Sequence, residues 1–397
     1  MICSMWISRD IAPVLQRAAA ERPVLVLTGI RQTGKTALAR HSFPDYQYVT
    51  LDLPSIAEQA ERDPAAFLAQ FPAPVIIDEV QYAPALFRHL KAVVDQNRAP
   101  GRFILSGSQR FGLMRSVSES LAGRAQIFEI EGLTQREIDR VAPDMSIEER
   151  MLRGGFPELY ANPNLNPAMW MQSYVSTFLE RDLRALLNVI QLRDYERFMR
   201  ALALRGGNLL NQTEVGRDVG VATSTVSNWL SALQTAGVLH LLEPWFSNKT
   251  KQLVKMPKIY FSDIGLQVYL CGARSAADLS NSPMIGAFWE TLCHSELRRA
   301  QLLEFGSVSL NFWRDRNREV DFLINRAGRF SLFECKWREQ PDQRDARALL
   351  AVIEELGEAQ VDQASIICRT AHSYPITPKI QAQNLKDIIA SKGVSDS

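Results

Sequence analysis

Along the first third of the chain, short apolar runs alternate with stretches in which apolar residues recur every three or four positions. Val24–Thr28, Tyr46–Asp52, Val75–Asp78, Phe103–Ser106 and Ala125–Ile130 are short and rich in β-branched or aromatic residues, which predicts strands. Ile56–Phe71 and Ala85–Asn97 carry the helical spacing. Strand and helix alternating in this way imply an α/β fold with a parallel sheet covered on both faces. From about Leu133 the strands stop, and a helical region punctuated by Gly154-Gly155-Phe156-Pro157 runs on through Trp170–Leu187. A compact helical pattern begins at Gly206-Gly207 and ends in the strand-like Val238–Leu242. From Phe288 a helix is followed by the strands Val308–Trp313, Glu319–Ile324 and Phe330–Lys336, an α+β pattern, and the polar tail after Ala382 is expected to fray. Four parts are therefore expected: an α/β core over 1–133, a helical lid or linker over 134–205, a small helical module over 206–262 and an α+β domain over 263–397.

Composition narrows the classes. The chain has 397 residues, and its 45 basic and 44 acidic side chains nearly cancel, which argues against a wholesale polycation built for nucleic acid. Five scattered cysteines without a Cys-x-x-Cys pattern read as reduced thiols of a cytoplasmic protein. Arg9 and Asp10 stand too early for a secretory signal, and no apolar run approaches a membrane span. The histidines form no pair at metal spacing.

One motif carries specific chemistry. Gly29-Ile30-Arg31-Gln32-Thr33-Gly34-Lys35-Thr36 matches G-x-x-x-x-G-K-[ST], follows an apolar strand and opens a helix. Glycines let such a loop curl its N–H groups toward phosphates, and the helix N-terminus adds positive potential. Lys35 is expected on the β- and γ-phosphates of ATP and Thr36 on Mg²⁺. The apolar strand ending in Asp78-Glu79 supplies the complement, with Asp78 holding Mg²⁺ and Glu79 activating water. Ser106 or Ser108, closing Phe103-Ile104-Leu105-Ser106-Gly107-Ser108, is a candidate γ-phosphate sensor, against the plain alternative of a strand-capping serine. Arg124 is a candidate transition-state arginine, in cis or across a homo-oligomer interface, or simply a surface arginine.

With the Ile-Ile-Asp-Glu and Leu-Ser-Gly-Ser strands and Leu121-Ala122-Gly123-Arg124, this loop resembles the AAA-type ATPases of prokaryotes. The chain is more narrowly similar to the group fused to a C-terminal domain of unknown function with a nuclease-like fold, to which Gly154-Gly155-Phe156-Pro157-Glu158 also conforms. The resemblance implies a P-loop NTPase sheet, a helical lid and ATP with Mg²⁺ as cofactors.

Two further patterns leave the role open. Thr213–Val219, a turn at Gly220, Thr223–Leu233 and the strand after Gly237 suggest a winged helix-turn-helix. Its second helix would offer Thr223, Ser224, Thr225, Ser227 and Asn228 to a DNA groove, and Lys249, Lys251, Lys255 and Lys258 would contact phosphates. Near the C-terminus, Asp321 on one strand and Glu334-Cys335-Lys336 on the next resemble the PD-(D/E)xK nuclease signature. Residues i and i+2 of a strand share a face, so Glu334 and Lys336 point together. Asp321 and Glu334 would hold a divalent ion, with Glu290 as the helix carboxylate and Glu296 as its fallback. Three functions compete: an ATPase acting on or regulated by nucleic acid, an ATP-regulated nuclease, and a DNA- or protein-binding regulator with a degenerate nuclease domain.

Overall fold

The structure, a computed structural model, describes residues 5–107, 120–179, 192–246, 256–315 and 318–390. It divides into two compact units. The first comprises Met1–Leu133, Phe156–Asn164 and Thr235–Val238. Its centre is a parallel sheet of β1 (Val24–Thr28), β2 (Gln47–Thr50), β3 (Val75–Asp78), β4 (Phe103–Ser106) and β5 (Ala125–Glu129), in the order β2-β3-β4-β1-β5. The three uninterrupted apolar runs are the central strands, and every residue of β1, β3 and β4 is buried. The mixed strands β2 and β5 take the edges, where one side meets water. Apolar side chains from the helix Leu86–Gln96 pack in one core with residues of β1, β3 and β4.

The second unit comprises Thr134–Gly155, Leu165–Gln234 and Leu239–Ser397. It holds the antiparallel pair β6 (Leu239–Leu242) and β7 (Lys258–Phe261) and a six-stranded mixed sheet. The sheet is built from β8 (Leu310–Asp315), β9 (Arg318–Arg326), β10 (Arg329–Cys335), β11 (Val361–Cys368), β12 (Tyr374–Thr377) and β13 (Ile380–Asn384), in the order β12-β13-β11-β10-β9-β8. The helix Ile285–Phe305 lays Phe288, Trp289, Leu292 and Leu297 into a core shared with Phe322, Ile324 and Phe333.

Three expectations need correction. The helix expected over Ile56–Phe71 is two helices, Pro54–Arg62 and Pro64–Gln70. Proline disfavours the helical conformation in the residue before it, and Asp63 instead caps the second helix by accepting a hydrogen bond from Ala66 N–H. The C-terminal sheet has three strands beyond the expected set, β11, β12 and β13; the last two are only four and five residues long, and in β13 Ile380 and Ala382 alternate with glutamines. The polar tail does not fray at Ala382: the helix Leu385–Ala390 follows, with Leu385 and Ile388 buried.

Candidate functional sites

The phosphate loop forms because two glycines permit a path that other residues resist. Gly29 has φ +139°, and a Cβ there would stand 2.1 Å from the Ile130 carbonyl oxygen. Gly34, at φ +81°, starts the helix Lys35–Ser42 with no side-chain cap, so that helix start presents only backbone donors. Lys35 folds back across the loop, donating to the carbonyls of Gly29 at 3.0 Å and Ile30 at 2.7 Å. Thr33 Oγ1 donates to Ile30 O at 3.0 Å, Gln32 is exposed at φ +66°, and Arg31 is half-buried. From outside the motif, the buried Arg9 guanidinium donates to the carbonyls of Thr33, Glu131 and Gly132. It thereby ties the loop to the chain leaving β5.

Asp78 ends β3 and is 4% exposed, yet among the described residues its side-chain donors are neutral hydroxyls. Thr36 Oγ1 donates to Oδ2 at 2.8 Å, Tyr48 Oη donates to the same oxygen at 3.0 Å, and Ser106 Oγ donates to Oδ1. Burial, and then the Asp78 charge, push the Tyr48 phenol up to about 12, so it remains a donor at neutral pH. Glu79 has φ +54°, an uncommon conformation for a residue with a side chain, and Gln81 Nε2 donates to its carboxylate. The donor set fits Mg²⁺ with a nucleotide phosphate: a hydroxyl and a carboxylate meet beside an open helix start and a lysine. Tyr48, Gln81 and Arg9 are additions that the motif alone did not announce.

Arg124 lies at the far end of the sheet from the phosphate loop. Ala125 pairs with Val24 at the start of β1, whereas the phosphate loop follows Thr28 at its other end. Five residues of strand span about 17 Å. Arg124 is instead in a bidentate pair with Asp95, Nε to Oδ1 at 2.7 Å and Nη2 to Oδ2 at 2.8 Å. Ser108 lies outside the described residues.

In the second unit, Glu290, Asp321, Glu334 and Lys336 do converge. Lys336 Nζ donates to Glu334 Oε1 at 2.6 Å, and Asp321 Oδ2 accepts from Cys335 N–H at 2.9 Å. Glu296 lies elsewhere, between Arg299 and the Gln135 N–H. The centre also holds a residue assigned differently from sequence. Lys258, expected on a DNA phosphate, is 2% exposed and cannot reach one. Its Nζ lies 2.9 Å from Glu290 Oε1, 2.5 Å from Glu319 Oε1 and 3.3 Å from Asp321 Oδ1. Tyr260, on the same face of β7, also donates to Glu290 Oε1. Burial opposes the Lys258 charge, but the carboxylates of Glu290, Asp321 and Glu319 outweigh it and raise its pKa. Burial, and then Asp321, push Glu290 up to about 7 and Glu334 up to about 8. Glu334 Oε2 is buried without a hydrogen-bond partner, as a protonated carboxyl allows. The divalent ion implied by the nuclease-like signature does not fit here, because the oxygens it needs on Glu290 and Asp321 already surround an ammonium.

Between these centres in sequence, the helix Gln212–Val219 ends at Gly220, at φ +85°, and the helix Thr223–Thr235 follows. Thr223, Ser224, Ser227 and Asn228 are exposed and Thr225 is half-buried. Lys249, Lys251 and Lys255 lie outside the described residues. Gly154 has a structural reason: a Cβ there would stand 2.1 Å from Asp263 Oδ1, and Gly155 N–H donates to Asp263 Oδ2 at 2.7 Å. No helix among the described residues is long and apolar enough to cross a membrane.

Comparison with known proteins finds a separate family model over each of three stretches of the chain. Residues 21–139 match the family model described as an AAA domain. Residues 145–277 and 285–388 match domains of unknown function, DUF8612 and DUF4143. The uncharacterized proteins Mb2031c of Mycobacterium bovis and Rv2008c of Mycobacterium tuberculosis are each 34% identical over 398 residues, covering 99% of this chain and 87% of theirs. Among solved structures, the Walker-type ATPase PABY2304 of Pyrococcus abyssi aligns with TM-score 0.44 at 16% identity, over 67% of this chain and 96% of that one. The RuvB Holliday junction branch migration motor of Thermotoga maritima aligns with TM-score 0.31 at 20% identity, over 59% and 89%. The chain belongs to the family of those mycobacterial proteins, as a P-loop AAA-type ATPase domain fused to a C-terminal domain of unknown function.

Proposed function

We propose that this chain is a cytoplasmic ATPase that binds Mg²⁺·ATP on the loop Gly29–Thr36 and hydrolyses it with Glu79 as general base. The observation that carries this reading is the hydrogen bond from Thr36 to Asp78 beside the helix start that Lys35 opens. Loop N–H groups and Lys35 would receive the phosphates, Thr36 and Asp78 would hold Mg²⁺, and the metal when bound would neutralise charge developing on the phosphoryl group. Ser106 fixes one oxygen of Asp78, and Tyr48 together with Thr36 fixes the other. Glu79 stands at the C-terminal end of β3, where a water attacking the γ-phosphate would be activated.

Hydrolysis is coupled, in this reading, to nucleic acid bound by the helix Thr223–Thr235. Its exposed threonine, serine and asparagine side chains suit hydrogen bonding in a groove. Cleavage is not assigned to the C-terminal centre, whose carboxylates are already engaged by Lys258. The test is ATP turnover with and without Mg²⁺ and with and without duplex DNA. Turnover that needs Mg²⁺ and rises with DNA supports both parts; turnover indifferent to DNA removes the coupling and leaves the ATPase. No turnover in any condition overturns the reading.

A further inference from the structure

The carboxylate centre of the second unit poses an electrostatic problem of its own, independent of the ATP site. Four acids meet there: Glu290 from the helix Ile285–Phe305, Glu319 and Asp321 from one face of β9, and Glu334 from β10. Like charges this close repel, and burial prevents water from screening them. Such a centre persists only with a resident cation or with its acids protonated.

We infer that the resident cation is the chain's own: Lys258 Nζ fills the position among Glu290, Glu319 and Asp321 that a divalent metal would otherwise take. Three ion pairs within 3.3 Å converge on one ammonium. The strand presenting it is held on both sides. Lys258 pairs with Leu242 across β6 and β7. On the other flank, Gly207 N–H donates to Ile259 O at 2.8 Å, Ile259 N–H to Asn208 O at 3.1 Å and Leu210 N–H to Pro257 O at 2.8 Å. Gly207, at φ +79°, brings this flank within 3.4 Å of the Glu290 carboxylate, measured from the Cβ it lacks. A lysine so anchored is a fixture rather than a mobile side chain. From β10, Lys336 Nζ brings a second ammonium to the centre, 2.6 Å from Glu334 Oε1. The second unit therefore keeps the acids of the nuclease-like signature while supplying an ammonium group where a metal would sit. It is a metal-independent, non-cleaving module.

The test is Mn²⁺ binding to the full-length, nucleotide-free protein at about pH 7, where only binding lost in Asp321→Asn is attributed to this centre. The wild type is expected to show no such binding up to about 1 mM, and any response of its melting temperature to Mn²⁺ or chelator to persist unchanged in Asp321→Asn. In Lys258→Gln the acids lose their cation, and Mn²⁺ binding roughly tenfold or more tighter should appear, with melting raised by the metal. Folding of that variant only when Mn²⁺ is present would support the inference equally. Wild-type Mn²⁺ binding that Asp321→Asn removes would overturn it, whether or not Lys258→Gln folds. So would a folded Lys258→Gln that gains no metal.

Discussion

The two charged centres of this protein solve opposite problems with similar residue types. At the phosphate loop, a single buried carboxylate, Asp78, is surrounded by neutral hydroxyls from Thr36, Tyr48 and Ser106. Neutral donors hold its geometry without cancelling its charge, which remains available to a cation. In the second unit, four carboxylates are matched inside the fold by Lys258 and Lys336 and by protons on Glu290 and Glu334. A centre that has internalised its counter-charges has none left to offer. Whether buried acids serve binding or architecture is thus decided by the charge of their neighbours rather than by the number of acids.

The sharpest way to break this comparison is to remove the group assigned to chemistry. Glu79→Gln should retain ATP and lower turnover by about 100-fold or more, as measured by phosphate release alongside nucleotide binding. A wild-type rate would reduce Glu79 to a strand end. At the other centre the expected effect is on stability: Lys258→Met should lower the melting temperature by about 10 °C, because it strands buried carboxylates without a partner. An unchanged melting temperature would show that protons alone can balance the centre.

Acidity offers a gentler probe. Glu290 and Glu334 keep protons in the folded state that the unfolded chain releases near the ordinary value of 4.5. Raising the pH therefore favours the unfolded chain, and this contribution to stability declines between about pH 5 and about pH 8. The melting temperature should fall across that window, and Glu334→Gln should flatten the slope. Tyr48→Phe removes one of three hydroxyl donors to Asp78, worth about 1 kcal/mol, and should raise the Mg²⁺ needed for half-maximal turnover roughly fivefold. The smallest change is expected from Arg124→Ala, whose turnover should stay within about twofold of wild type. A loss on the order of 10³-fold would instead give Arg124 a role in a neighbouring subunit.

These contrasts also mark what could be read from sequence. The phosphate loop was legible because eight consecutive residues carry it, and Asp78 because an apolar run delivers it to a strand end. Arg9 and Tyr48 were not, since nothing local links either to a loop or strand far along the chain. Asp321, Glu334 and Lys336 were found through their resemblance to the PD-(D/E)xK signature, and strand alternation put Glu334 and Lys336 on one face. The same rule places Glu319 with Asp321, and Lys258 with Tyr260, on shared faces. Lys258 was missed because it follows Lys249, Lys251 and Lys255, so that four lysines read as one wet patch. Only the pairing of β7 with β6 and with residues 207–210 turns the last of them inward.

The interrupted path of the first unit bears on how the protein is made. That unit draws on Phe156–Asn164 and Thr235–Val238 as well as on Met1–Leu133. Gly237, for example, approaches Ile30 in the phosphate loop so closely that a Cβ would stand 3.1 Å from its side chain. On a ribosome adding about 5–20 residues per second, roughly a hundred residues separate the last strand of this sheet from its final piece, a delay of about 5–20 s. During that interval the nascent sheet waits with part of its packing still unsynthesised, while segments of the other unit emerge beside it. Slowing translation between codons 133 and 238 should therefore lower the soluble yield more than the same delay placed after 238.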